Sequence, residues 1–155
     1  MAKLQIECLS SKINTKRIAK AVYKVLGQTS KLKAELVFLS EDEMRNLNNS
    51  SRGVDRVTDV LSFPTLGGIK NEILLPENCS TSMDRKRIFI GSIALCRQRI
   101  VAQAKEYGHS EQRETAYLIV HGLMHLFGYD HETEEEKAEM RDREKKAMKL
   151  LGVED

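Results

Sequence analysis

The chain has 155 residues, of which 41% are hydrophobic and 31% charged, and a formal net charge of +2. That length is sufficient for one domain, residues 1–155, with a buried core. Charge this close to balance makes attraction to nucleic acid by the field of the whole protein weak, so any such contact has to come from local clusters. No apolar stretch is long enough to span a membrane, and Met1-Ala2-Lys3-Leu4-Gln5 lacks the apolar core of a signal peptide. Cys8, Cys79 and Cys96 are odd in number and scattered, which fits a reducing compartment and neither a disulfide framework nor a cysteine zinc site. The expected location is the cytoplasm.

Taken in chain order, Leu4 to Cys8 alternates like a half-buried strand. A helix capped by Asn14 or Thr15 follows, running to about Leu26 and stopped by Gly27, with Ile18, Ala21, Val22 and Val25 as its apolar stripe. Lys12, Lys16, Arg17, Lys20 and Lys24 form its solvated face. Ala34 to Leu39 predicts a second strand. Ser40 and Glu43 form a capping box for a short helix through Leu47, and the polar residues 48–56 predict a loop. Val57 to Phe63 predicts a strand ending at Pro64. Residues 65–85 predict irregular chain, with a short strand at Glu72 to Leu75. Ile88 to Ala94 predicts another strand, and a helix from about Leu95 to Tyr107 stops at Gly108. Ser110 caps the next helix, with Glu111 and Glu114 in its first turn, where negative charge is favoured. Thr133 and Glu136 open the last helix, whose acidic start and basic end complement the helix dipole and whose Met140, Ala147, Met148 and Leu151 face the core. The class is α+β with a small mixed sheet packed by helices.

The residues with most chemical content lie between these last two helices. His121 and His125 are four apart on an apolar helical run, so both imidazoles project from one face. Gly128 supplies a left-handed stop, after which the chain can fold back and bring His131 to the same point. Three neutral nitrogen ligands leave one corner of a tetrahedral zinc open, where the pKa of a bound water falls to about 7. Zinc peptidases of the His-Glu-x-x-His type carry a general base directly after the first histidine. Here that position is Gly122, which disfavours peptide hydrolysis. Asp130 fits a turn-capping role, and His109 a surface or capping role in preference to that of a fourth ligand.

His121-Gly122 to His131 resembles the His-Gly-x-x-His-Leu-x-Gly-Tyr-Asp-His signature of the YbeY family of bacterial endoribonucleases. The similarity extends through Gly108-His109-Ser110, Arg113-Glu114 and Val120, through a second block from Leu47-Asn48 by Arg52 and Asp55 to Thr58-Asp59-Val60-Leu61-Ser62-Phe63-Pro64, and through Ile90-Gly91-Ser92-Ile93. Ser92, Ser51 and Val57 depart from the family's usual aspartate, aromatic residue and proline. The resemblance implies a zincin-like site in which His121, His125 and His131 hold one Zn2+. It implies a single-strand-specific endoribonuclease that acts in rRNA processing, including 3′-end maturation of small-subunit rRNA, and in ribosome quality control. Its implied partners are single-stranded and ribosomal RNA, the small ribosomal subunit and assembly factors, with neither DNA nor membrane expected. Arg52 matches the family's functionally important arginine, and with His121 it is the candidate catalytic pair.

A guanidinium at Arg52 offers a planar fork of donors matched to phosphate oxygens, and a nearby cation stabilises the charge that develops when RNA is cleaved. Arg85-Lys86-Arg87, Arg97 and Arg99 are further candidate phosphate contacts, with a solvated surface as the alternative. Ser62 is a candidate to approach the metal through water. Two other functions stay open at this level: another metal-dependent hydrolase acting on a peptide or small ester, which Gly122 disfavours, and a non-catalytic ribosome-assembly factor with a structural zinc, which an open coordination site disfavours.

Overall fold

A computed structural model describes residues 3–10 and 14–152. Its sheet is built around β5 (Arg87–Cys96), the longest strand, which is buried on both faces. β2 (Leu32–Leu39) pairs with one side of β5 in parallel, and β1 (Leu4–Cys8) pairs in parallel with β2. On the other side of β5 lie two antiparallel segments, β3 (Val60–Pro64) beside Gly91 to Leu95 and the two-residue β4 (Met83–Asp84) beside Arg87 and Ile88. The strand order is β1-β2-β5-β3, and the sheet is mixed, as the sequence predicts.

A bulge in β5 decides which side chains face which layer. The register with β2 passes from Lys33 opposite Phe89 to Ala34 opposite Gly91, leaving Ile90 as an extra residue. Strict alternation would put Ile88, Ile90, Ser92 and Ala94 on one face. The extra residue resets the phase, so Ile88, Ile90, Ile93 and Leu95 all join the larger core, while Ala94 and Cys96 join a smaller one with Met44 and Leu61. The larger core is completed by α1 (Lys16–Val25), α4 (Glu111–Leu126) and α5 (Glu134–Leu150), with Ile100 from α3 (Arg97–Tyr107). The smaller core is covered by α2 (Glu41–Arg52).

Two glycines let α4 lie close on the sheet. Gly91 has φ +137°, and a Cβ there would stand 2.4 Å from the Phe63 carbonyl oxygen and 2.8 Å from Leu126 Cδ2. Gly122 faces the same strand, and a Cβ on it would meet Ile93 at 3.0 Å. A side chain at position 122 would stand between α4 and the sheet only if Ile93 gave way by a few tenths of an ångström, which gives a physical reason for glycine where zinc peptidases carry glutamate.

The boundaries differ from the sequence prediction in particular places. α2 does not end at Leu47 but runs to Arg52, so that Arg52 is the last helical residue and not part of a loop. Its extension is held by the Ser50 and Ser51 hydroxyls, which donate back to the Leu47 carbonyl, and by buried Asn48, whose Nδ2 donates to the Arg56 carbonyl at 2.9 Å. β3 starts at Val60, because Asp59 Oδ1 accepts from the Val60 amide and turns the chain into the sheet. Glu72 to Leu75 is not a strand: Leu74 is buried, and its amide donates to Gln28 Oε1. Short 3-10 turns at Pro76–Asn78 and Ser80–Ser82 follow. Lys12, expected on the basic face of the first helix, lies outside the described residues. Among the described residues no helix is long and apolar enough to cross a membrane.

Gly91→Ala is expected to cost about 3 kcal/mol, since it combines a disallowed backbone angle with a clash against backbone. In thermal denaturation that corresponds to a Tm about 6–12 °C lower. A Tm within 2 °C of the parent protein would refute the bulge geometry.

Candidate metal centre

α4 begins where the Ser110 hydroxyl accepts from the Arg113 amide at 3.1 Å, with Glu111 and Glu114 in the first turn. Leu118, Ile119, Val120, Leu123, Met124 and Leu126 are buried, so most of the helix circumference is core. Tyr117, His121 and His125 form the remaining row at four-residue steps, looking towards α5. The helix ends at Leu126, and Gly128, with φ +95°, reverses the chain. A Cβ at Gly128 would stand 2.9 Å from the Lys70 amide nitrogen, so the irregular segment around Lys70 packs directly on this turn. Tyr129 is buried, and its hydroxyl donates to Asn71 Oδ1 at 2.7 Å. Asp130 Oδ1 accepts from the His131 amide at 2.8 Å, the turn-capping role expected for it.

The outcome is a cluster in which ligand atoms of His121, His125 and His131 all lie within 4.8 Å of one another. His121 Nε2 and His125 Nε2 are 3.2 Å apart. Two nitrogens bound to one tetrahedral zinc, each at about 2.0–2.1 Å, stand about 3.3–3.4 Å apart, so this pair has the spacing that a shared cation requires.

Hydrogen bonds on the far side of two rings fix which nitrogen is bare. His125 Nδ1 lies 2.9 Å from the Tyr129 carbonyl oxygen, which can only accept, so the ring proton sits on Nδ1. His121 Nδ1 lies 2.5 Å from Glu144 Oε2 and donates to it. Both Nε2 lone pairs therefore point into the cluster, the tautomer a metal ligand needs. Burial, reinforced by His121 and His131, holds the His125 pKa below the usual imidazole range and keeps that ring neutral. Two bare lone pairs at such a distance repel, and a cation between them removes the repulsion.

Glu144 is the residue that the sequence did not disclose. It is 5% exposed, and its second oxygen accepts from the Tyr117 hydroxyl at 3.2 Å. Burial, followed by the charge of Glu144, raises the Tyr117 pKa and keeps its hydroxyl a donor. The acidic start and basic end of α5 complement its dipole as expected, and Glu144 adds a role within that pattern by holding a ring of the cluster. The signal is present in the spacing: Glu144 occupies the same stripe as Met140, Ala147 and Met148, all buried, so an unpaired carboxylate there would be costly.

The other expected site residues are dispersed. Arg52 is exposed at the end of α2, which covers the opposite face of the sheet from α4. Its guanidinium forms no ion pair among the described residues, whereas Arg45 on the same helix is locked to Asp55 at 2.7 Å. It borders a 350 Å³ cavity with Asn48, Arg56 and Thr58. From there the chain enters β3, whose Ser62 hydroxyl faces the Gly122 carbonyl of α4 at 3.5 Å. His109 is not part of the histidine cluster and its ring lies beside Tyr107. Arg87 donates to the Lys3 and Leu32 carbonyls, and Arg97 lies over the Phe38 ring at 4.5 Å, so both have structural partners.

Known proteins place this geometry in context. The family model described as Endoribonuclease YbeY matches residues 3–152. An endoribonuclease YbeY of Clostridium perfringens is 38% identical over 148 residues, covering 90% of this chain and 88% of the relative. That of Chloroflexus aurantiacus is 48% identical over 115 residues, covering 74% and 70%. The solution structure of TM1509 from Thermotoga maritima aligns with a TM-score of 0.58 at 22% identity over 95% of this chain and 91% of that one, a likeness of fold. A match of this extent, on a chain that gathers the signature histidines at one point, makes the protein a member of the YbeY family of endoribonucleases.

Proposed function

We propose that this protein is a zinc-dependent endoribonuclease that cleaves single-stranded RNA, acting in the cytoplasm on ribosomal RNA and the 3′ end of the small-subunit rRNA, in company with the small ribosomal subunit and its assembly factors. The observation that carries the metal-dependent reading is the convergence of three imidazoles, two of which, His121 and His125, have their tautomers set from outside by Glu144 and the Tyr129 carbonyl. The RNA substrate follows from the endoribonuclease family, and the ribosomal setting is what the sequence resemblance implies. A zinc ion in this cluster supplies Lewis acidity and lowers the pKa of water.

The chain's own residues do the rest. His121, His125 and His131 act as neutral ligands, and Glu144 holds the His121 ring in place and raises its basicity. Gly122 is packed on Ile93, so no side chain follows the first ligand as a general base. Arg52 grips a phosphate of the strand through its free planar fork and offsets charge developing at phosphorus. A strand bound by both regions crosses the β3 edge, where Ser62 links the segment after α2 to α4.

His125→Ala is expected to abolish stoichiometric zinc by elemental analysis, and Arg52→Glu to keep the zinc while cleavage of a single-stranded rRNA fragment falls at least a hundredfold. Full zinc in the first variant, or full cleavage by the second, refutes the respective role. Removing the carboxylate charge in Glu144→Gln is expected to weaken zinc binding about 10–100-fold, the usual effect of losing such a partner. Affinity equal to that of the parent would make Glu144 a bystander. Protons compete with the metal for the imidazole nitrogens, so zinc affinity falls as pH is lowered. Calorimetric titrations at pH 7.5 and pH 5.5 with the same Kd would contradict imidazole ligation.

A further inference from the structure

Beyond the histidines, the seam between α4 and α5 opens into a cavity of 660 Å³. This lies within the size range of sites for small molecules and cofactors. Glu144 forms the shared wall: one of its oxygens holds His121, while the residue also lines the cavity. The floor is Glu114, seven residues before His121 and thus about 10 Å further along the helix axis.

Three observations give this cavity a chemistry. Glu114 is 5% exposed, yet its carboxylate has no hydrogen-bond donor among the described residues, and the surface it keeps opens into the cavity. Burial raises its pKa against the opposing influence of His109 and Arg113, which line the same cavity. Along the rim, Arg141, Lys145 and Lys149 repeat at four-residue steps and so make one basic row on α5. None of the three forms an ion pair among the described residues, although Lys137, Arg143 and Lys146 of the same helix do. Tyr107, 58% exposed, adds an aromatic face at the mouth.

A donor-seeking carboxylate at the base, an aromatic face beside it and a line of free cations above match the parts of one ribonucleotide and its neighbours. We propose that this cavity is a subsite for single-stranded RNA, in which a guanine base lays its two adjacent N–H groups on Glu114 and stacks near Tyr107 while the flanking phosphates lie on Arg141, Lys145 and Lys149. The assignment rests on RNA being the substrate. Guanine is the base that presents two neighbouring donors on one edge to the two carboxylate oxygens, whereas adenine and cytosine present one amino group and uracil one imide N–H. The subsite lies one side chain away from the metal ligands and is separate from Arg52, so it selects sequence next to the centre.

The test uses the zinc-loaded full chain and fluorescence anisotropy with two labelled heptamers, UUUGUUU and UUUUUUU. The guanine heptamer is expected to bind at least tenfold more tightly than heptauridine. Glu114→Gln reduces that preference to less than threefold. The double variant Arg141→Glu, Lys149→Glu weakens both heptamers at least tenfold and flattens the dependence of log affinity on log salt by about 1.4, since each phosphate contact on a single strand contributes about 0.7. Lys20→Glu on α1 leaves both affinities unchanged, and zinc content with thermal unfolding confirms that each variant is folded. Absence of a guanine preference in the parent protein, or binding by the double variant within twofold of the parent, overturns the subsite. If the parent protein nevertheless cleaves a single-stranded rRNA fragment, the endoribonuclease reading stands without it. A parent that neither binds nor cleaves single-stranded RNA overturns that reading as well.

Discussion

Everything at the centre depends on two hydrogen bonds made away from it. The Tyr129 carbonyl and the Glu144 carboxylate take the Nδ1 protons of His125 and His121, and in doing so they turn two Nε2 lone pairs towards the same point. Neither ring could hold that orientation by packing alone, since each is only partly buried on the outer row of α4. A backbone carbonyl is a permanent acceptor and cannot change its charge. A buried carboxylate is stronger, and it is itself steadied by the Tyr117 hydroxyl. The structure thus commits the rings to ligation before any cation arrives, which lowers the ordering that binding must impose.

The fold exists around this commitment in a way that individual residues make plain. The bulge at Ile90-Gly91 rephases β5 so that its large aliphatic side chains stay on the α4 side, and the missing side chains at Gly91 and Gly122 allow the helix to settle on that strand. With α4 fixed, the position of its end is fixed, and so is the turn through Gly128 that returns His131. The segment after β3 has little regular structure but is anchored to that turn and to α5. Asn71 joins the Tyr129 hydroxyl to Glu139, and Lys70 pairs with Glu139 at 3.0 Å. An irregular stretch can therefore be rigid where the site needs it.

The sequence made the metal cluster legible because helical periodicity and a glycine stop are local rules: His121, His125 and Gly128 declare their geometry within one turn. Helix caps at Ser40, Ser110 and Thr133 were readable for the same reason. Glu144 was hidden by a non-local fact. Its partner His121 lies on another helix, and in a run as charged as α5 one more glutamate reads as part of the dipole pattern until the buried stripe is traced through it. The length of α2 was underestimated because Asn48, Ser50 and Ser51 favour turns in isolation, and only the carbonyls of Leu47 and Arg56 show how their side chains are satisfied within and beside a helix. The strand at β3 is legible in its sequence up to Pro64, whereas the two-residue β4 depends on pairing with β5, which no local pattern reports.

X-ray absorption at the zinc edge of the loaded protein tests the central claim most directly, because it counts and identifies the atoms around the ion. The account predicts three imidazole nitrogens at about 2.0–2.1 Å and one light-atom ligand completing a tetrahedron. A shell with sulfur at about 2.3 Å, or fewer than two imidazole nitrogens, would contradict it.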